Sequence, residues 1–205
     1  MKFQKYMAVG ILGLTMALGF SGCQSENQKN QDAYRKIGIN SMAEGDYDKA
    51  VKSFQKALDT SLGKIGAEEI DICYYKAAAQ FAKKDYDGAI ETYTSLIDYD
   101  KENANAYYLR GSVYLDTDKK DKAFKDYKNA VKYAGREYEI YEGIYENLTN
   151  KGETEEAKNY LKKALDIKPK DGADYAEQGH VYYLLEDYTQ LSLIHISEPT
   201  RHLRI

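Results

Sequence analysis

The sequence contains no tryptophan and only two prolines among 205 residues, and it shows no stripe of basic residues. Its formal charge is −4, so nothing predicts the displacement of counterions from nucleic acid, and we exclude nucleic acid as a partner. What the chain does contain is 21 tyrosines, many Lys, Glu and Asp residues, and 43% hydrophobic residues. This composition favours stacked helices over sheets.

The N-terminal residues are predicted to be a secretory signal that is not part of the fold. Lys2 and Lys5 precede an apolar stretch, Met7 to Phe20, whose 14 residues are too few for a stable transmembrane helix. The stretch ends in Phe20-Ser21-Gly22-Cys23, which resembles the bacterial lipobox. The alternative is an ordinary secretory signal followed by an incidental cysteine.

The lipobox resemblance implies a lipid on Cys23, with the signal peptide 1–22 cleaved before it. Residues 23–30 are then the lipidated cysteine and a polar tether, and the domain is anchored to the bacterial membrane, outside the cytoplasm. Cys73 would remain as the one thiol, and we expect it to pack inside a helix pair.

Four alanines, Ala50, Ala89, Ala123 and Ala157, recur at intervals of 39, 34 and 34 residues. Each is followed four residues later by a bulky side chain and seven later by a small or apolar one. Spacings of three and four place these residues on one helix face. The bulky positions are Phe54, Tyr93, Tyr127 and Leu161, and the last positions are Ala57, Leu96, Ala130 and Ala164.

A period of 34 residues with this pattern resembles the tetratricopeptide repeat, a helix–turn–helix unit. The resemblance implies an all-α fold, an α-solenoid with four complete repeats and a truncated fifth within 31–190. The repeats run over about 31–64, 70–103, 104–137, 138–171 and, in part, 172–190, and the extra residues 65–69 account for the interval of 39.

Small residues also recur in the first helix of four of the five repeats, where the second helix has to come close. They are Gly38, Ala77, Gly111 and Gly179. Pro169 stands where the family commonly closes the second helix, and only the fourth repeat keeps it.

The fifth repeat is expected to lose its register at residue 191, where the next stacking alanine is due. Residues 191–205 instead resemble the translation of a transposase-type sequencing adapter, whose reading frame fits through Ile205. We therefore expect 191–205 to be a non-native tail, and the natural codons after Gln190 would identify any further repeats or domains.

The sequence predicts no catalytic site, no cofactor and no metal site. Outside the expected tail, His180 is the only histidine, so no histidine-based triad or multi-histidine metal site can be assembled. We expect His180 to lie on the groove side of the fifth repeat as an ordinary surface contact.

In the tetratricopeptide repeat family the first helices line a concave groove, which implies a binding site for a protein or peptide partner. We predict an aromatic and apolar groove in the first three repeats and an acidic one in the fourth. Tyr74 and Tyr108 are candidate anchors, although both could instead pack within the helices. The full set of groove candidates is Arg35, Ile39, Tyr74, Phe81, Tyr108, Ser112, Glu142 and Glu146.

The sequence thus favours a non-enzymatic, membrane-anchored scaffold that holds a protein or peptide at the cell envelope. Two alternatives remain open at this point. The chain could be an accessory module of a missing C-terminal enzymatic or envelope-assembly domain, or a lipoprotein that binds a small ligand or glycan through tyrosines.

Overall fold

A computed structural model describes residues 26–61, 63 and 65–187, and these residues form nine α-helices, one 3-10 turn and no strand. The fold is an all-α solenoid of helix pairs. The helices are α1 Glu26–Ala43, α2 Tyr47–Thr60, α3 Ala67–Ala82, α4 Tyr86–Tyr99, α5 Ala104–Asp116, α6 Lys120–Tyr133, α7 Tyr138–Asn150, α8 Thr154–Lys163 and α9 Gly172–Leu184, with the 3-10 turn Ala164–Asp166 after α8.

The chain divides into two compact units, with the boundary between Asp126 and Tyr127 inside α6. In unit 1, the residues up to Asp126, each of the helices α1 to α4 packs against the next one along the chain, so the series of contacts runs from α1 to α5. In unit 2, the residues from Tyr127 onward, α7 packs against α8, and α9 contacts the 3-10 turn. The helix pairs are those that the repeat pattern predicts.

The first helix of every repeat ends in the same turn. One residue of this turn has a positive φ. Its N–H and the N–H of the next residue donate hydrogen bonds to two carbonyl groups at the end of the first helix. This is the Schellman arrangement, which satisfies carbonyls that a helix end would otherwise leave unpaired. The residues at the positive-φ position are Gly45 (φ 79°), Lys84 (67°), Asp118 (57°), Gly152 (82°) and Glu186 (59°).

The residue after the turn begins the second helix as its N-cap. Asp46 accepts the Lys49 N–H at 3.0 Å, and Asp85 accepts the Gly88 N–H at 3.1 Å. Each carboxylate satisfies one of the free N–H groups of the first helical turn. The short turn and the cap together keep the two helices of a repeat antiparallel and close.

The alanines of the repeat pattern are all fully buried, as the pattern predicts. Ala50, Ala89, Ala123 and Ala157 are each 0% exposed, and the bulky residues four positions later are at most 1% exposed. Gly38 shows why the first helix needs a small residue. A Cβ at this position would lie 2.5 Å from the Phe54 ring, so only glycine permits this approach.

One buried ion pair ties three helices of unit 1 together. The Arg110 guanidinium on α5 donates to both carboxylate oxygens of Asp126 on α6, at 2.7 and 2.8 Å. A third nitrogen donates to the Thr94 hydroxyl on α4 at 3.0 Å. Two-point binding of a carboxylate fixes orientation as well as distance, so this contact sets the register of α4, α5 and α6.

Two boundaries differ from the sequence prediction. α1 begins at Glu26, so part of the segment expected to be a tether is helical. The reason is tertiary: Gln31 is 5% exposed, and its amide donates to Glu69 at 2.7 Å. Likewise Ala67–Glu69, assigned above to an insertion between repeats, form the first turn of α3, where Glu69 accepts the Gly66 N–H at 2.8 Å.

Candidate functional site

The first helices of the repeats carry the predicted groove residues, and in unit 1 the first of them, Arg35, is already paired. Its Nε donates to Asp71 on α3 at 2.8 Å, and its guanidinium lies 5.3 Å from the centre of the Tyr75 ring. Tyr75 in turn stacks on Phe54, with ring centres 5.6 Å apart. Arg35 therefore joins α1 to α3, and its charge is largely balanced by Asp71.

Ile39, Tyr74 and Phe81 are half-buried on the first helices of unit 1. Ile39 packs against the cluster that contains Phe54. The Tyr74 hydroxyl donates to Asn103 at 2.6 Å, and its ring lies 6.3 Å from that of Tyr93. These side chains present part of an apolar surface to solvent, as a groove requires, but each also holds neighbouring helices together.

Tyr108 and Ser112 are buried instead. Tyr108 is 9% exposed and Ser112 2%, and the Ser112 hydroxyl donates to the Tyr108 carbonyl at 2.9 Å. A residue in this position contributes to packing far more than to an open surface. Of the two candidate anchors, Tyr74 keeps the exposure that binding requires, and Tyr108 has the burial expected of a core tyrosine.

A pair of carboxyl groups, from Asp32 on α1 and Glu68 on α3, lies beside Arg35. Burial raises the pKa of Glu68 to about 7, and a hydrogen bond with Asp32 and the charge of Asp32 act in the same direction. Two neighbouring carboxylates repel each other, and the cost falls when one of them holds a proton. This end of unit 1 is therefore sensitive to pH near neutrality.

In unit 2, the predicted acidic residues Glu142 and Glu146 lie half-buried on α7. The Glu142 side chain is 16% exposed. Its Oε1 lies 2.7 Å from His180 Nδ1 on α9, which is hydrogen-bond distance. Burial raises the pKa of the Glu142 carboxyl, His180 lowers it, and Glu177 and Glu139 raise it further. His180, which the sequence placed on the surface, is exposed but takes part in this carboxylate cluster.

Cys73 is a free, half-buried thiol on α3. Burial raises the pKa of this thiol, which keeps it in the less reactive protonated form. Cys73 packs beside the buried cluster around Tyr93, as a structural residue would.

The sequence did not predict the contacts made by Asp71, Asn103 and Glu177. The proximity of Glu177 to His180 could have been predicted, since Glu177 stands three positions before His180 and shares a helix face with it. Asp71 and Asn103 lie 36 and 29 residues from their partners Arg35 and Tyr74. These contacts depend on how adjacent repeats stack, which the spacing within one repeat does not reveal.

Sequence profiles described as TPR repeat and tetratricopeptide repeat match the chain over 77–118 and over 32–61, 104–136 and 146–171, respectively. The chain belongs to the tetratricopeptide repeat family. Repeats of this family are typical scaffolds for protein–protein interaction. The matched ranges 32–61 and 104–136 coincide with the helix pairs α1–α2 and α5–α6.

Several proteins are similar to this tetratricopeptide repeat chain. A solved structure of MamA is 26% identical, covers 67% of this chain and 78% of its own, and gives a TM-score of 0.52. PilF from Pseudomonas aeruginosa shares the fold at 17% identity, with 82% and 74% coverage and a TM-score of 0.53. A tetratricopeptide repeat protein from Parabacteroides merdae shares it at 16% identity, with 85% and 68% coverage and a TM-score of 0.55.

Among curated proteins, the probable 26S proteasome regulatory subunit rpn6 of Schizosaccharomyces pombe is 26% identical over 152 residues. The match covers 74% of this tetratricopeptide repeat chain, which spans only about a third (34%) of that relative's length. The similarity thus concerns a stretch of repeats.

The expected signal peptide 1–22, the expected lipidation site Cys23 and the expected non-native tail 191–205 lie outside the described residues. Within the described part of the chain, no helix is long and apolar enough to cross a membrane.

Proposed function

We propose that this tetratricopeptide repeat chain is a lipid-anchored scaffold that holds a protein or peptide at the outward face of a bacterial membrane. The observation that carries the proposal is that Ile39, Tyr74 and Phe81, on the first helices of unit 1, are all apolar or aromatic and all remain partly exposed. Tyrosine and phenylalanine give a large contact area for little loss of side-chain entropy, which suits them to anchor a partner.

The chemistry beside this surface limits what it binds. Arg35 is engaged by Asp71, so it is poorly placed to grip the C-terminal carboxylate of a partner. An extended apolar or aromatic peptide segment fits the surface better, because it can use the exposed ring faces without displacing the ion pair. We therefore propose recognition of an apolar segment by unit 1.

Site-specific photo-crosslinking in the native bacterium tests this. A photoreactive phenylalanine analogue at Phe81 should capture a discrete protein partner, because Phe81 is half-exposed on the first-helix surface. The same analogue at Lys52, an exposed position on the second helix α2, is the matched control and should capture little. Equal capture from both positions, or none from Phe81, would contradict a binding role for this surface.

The anchor has a separate test. Cys23→Ala should release the protein from the membrane fraction or leave it unprocessed, because a 14-residue apolar stretch does not hold a cleaved domain. Cys73→Ala is the matched control and should stay in the membrane fraction. A Cys23→Ala protein that is processed and still membrane-bound would rule out the lipid anchor.

A further inference from the structure

Two helices of unit 2 bring two carboxylates and an imidazole to one point. Glu142 is on α7, and Glu177 and His180 are on α9. One donor atom from each residue lies within 4.8 Å of the donor atoms of the other two. Because Glu177 and His180 are three positions apart, they project from the same side of α9.

The immediate surroundings are strongly acidic. His180 Nδ1 lies 2.7 Å from Glu142 Oε1, and Glu177 and Glu139 add negative charge around Glu142. The Glu142 side chain is only 16% exposed, so water screens this charge poorly. A single imidazolium can balance one carboxylate, whereas a divalent cation can balance both members of the Glu142–Glu177 pair.

The donor set suits one class of ion. Imidazole nitrogen with carboxylate oxygen is a ligand combination of zinc, which binds both at about 2.0–2.2 Å. Ligand atoms around a tetrahedral ion at that distance are about 3.3–3.6 Å apart. The His180–Glu142 pair, now 2.7 Å apart, therefore needs to open by less than about an ångström, and any pair near the 4.8 Å limit needs to close by about an ångström. The His180 side chain is half-exposed, so its ring has room for this adjustment. The ring also stacks on Tyr183, with ring centres 6.4 Å apart.

We propose that Glu142, Glu177 and His180 form a zinc-binding site between the first helix of the fourth repeat and the first helix of the fifth. Three protein ligands leave the fourth tetrahedral position open to water or to a group from a partner. A bound ion joins α7 to α9, and it stabilises α9 because only the folded state presents all three ligands together.

Isothermal titration of the full chain with zinc chloride tests the site. The wild-type chain should bind one zinc ion at this site. Glu177→Gln and His180→Ala should each weaken binding by at least about tenfold, since each removes a direct ligand. Titration with cobalt should give the intense visible absorption of a tetrahedral complex, and the same variants should lose it.

Controls separate this site from other zinc ligands in the chain. The double variant His195→Ala/His202→Ala and the single variant Cys73→Ala remove the remaining histidines and the described thiol, and both should keep the wild-type affinity. Glu156→Gln, an exposed acid on α8, should also bind normally. Circular dichroism should show wild-type helicity in the Glu177 and His180 variants, so that a loss of zinc binding does not reflect unfolding.

The outcomes that overturn the proposal are equally clear. Absence of zinc binding by the wild-type chain overturns it, and so does wild-type affinity in the Glu177 and His180 variants. Loss of binding in the His195→Ala/His202→Ala chain would place the zinc in the tail and overturn it as well.

Discussion

Glu68 and Asp32 place two carboxyl groups together in unit 1, and the pH dependence of stability follows from this pair. The pKa of Glu68 is raised from 4.5 to about 7 in the folded chain. Between these values the folded state keeps a proton that the unfolded chain has released, so the free energy of unfolding falls as the pH rises. Above about pH 7 the Glu68 carboxyl is ionised beside Asp32, and this lowers the free energy of unfolding.

We expect Glu68→Gln to raise the melting temperature at about pH 8 and to flatten its dependence on pH between about 5 and 7, because the amide cannot ionise. Glu91→Gln, at an exposed position on α4, is the control and should keep the wild-type profile. Thermal melts followed by circular dichroism across this pH range provide the measurement. An unchanged profile in Glu68→Gln would show that other groups control the pH response.

Substitutions of the two candidate anchor tyrosines, Tyr74 and Tyr108, should differ in their effects on stability and on binding. Tyr108 is buried, so Tyr108→Ala should cost about 3–5 kcal/mol of unfolding free energy. Tyr74→Phe removes only the hydroxyl that bonds Asn103 and should cost about 1 kcal/mol. Urea denaturation gives both values.

Binding gives the second half of that comparison. If Tyr74 anchors a partner, Tyr74→Ala should lower crosslinking from the Phe81 position by more than its loss of stability explains, and Tyr74→Phe should preserve it. Loss of capture and loss of stability in strict proportion would show that Tyr74 acts only in packing.

At the scale of the helix pair, the turns contain unrelieved backbone strain. Lys84 has a φ of 67°, a region that costs a residue with a Cβ about 1 kcal/mol. Lys84→Gly should therefore stabilise the chain by up to about 1 kcal/mol, less the added entropy of the unfolded glycine. Asp118→Gly should gain less, because aspartate tolerates this conformation better.

Denaturation with urea measures these gains, and Lys83→Gly is the neighbouring control. Lys83 has a φ of −83°, so glycine relieves nothing there and should not stabilise. Destabilisation by Lys84→Gly as large as that by Lys83→Gly would contradict the strain.

The helix pairs could be predicted from sequence because each repeat states its own pattern. The spacing of Ala50 and Ala89 identifies buried helix faces from the sequence alone. The turn at Gly45 can be predicted because glycine favours a positive φ. Lys84 and Glu186 adopt the same turn without that signal, because hydrogen bonds from the adjoining helix ends determine it. The start of α1 escaped prediction for a related reason, since Gln31 is ordered by Glu69 in another repeat.

The candidate site was less predictable than the fold. Periodicity identified the first-helix face that carries Tyr74 and Tyr108, but it did not reveal that Tyr108 is buried. The meeting of Glu142 with His180 depends on a contact 38 residues apart, and no spacing within a 34-residue repeat encodes such an alignment. Side-chain pairs between repeats therefore require the structure.

For the molecule as a whole, stability is expected to behave as a sum of repeats and of the interfaces between them. Ala123 is 0% exposed in the third repeat, so Ala123→Glu buries an unpaired charge at a cost of several kcal/mol. Lys128→Glu changes an exposed position on the same helix and should have an effect within about 0.5 kcal/mol. Urea melts compare the two, and equal losses would contradict the repeat register.

The five positive-φ residues of the repeat turns also offer a way to observe the repeats one at a time. All are exposed, and the shared backbone geometry at these positions already accommodates glycine, lysine, aspartate and glutamate. A cysteine placed at Gly45 together with one at Lys84, in a Cys23→Ala/Cys73→Ala background, would carry a fluorescent donor and acceptor on consecutive repeats of unit 1. The distance between the dyes would then report the opening of one repeat boundary as the chain unfolds.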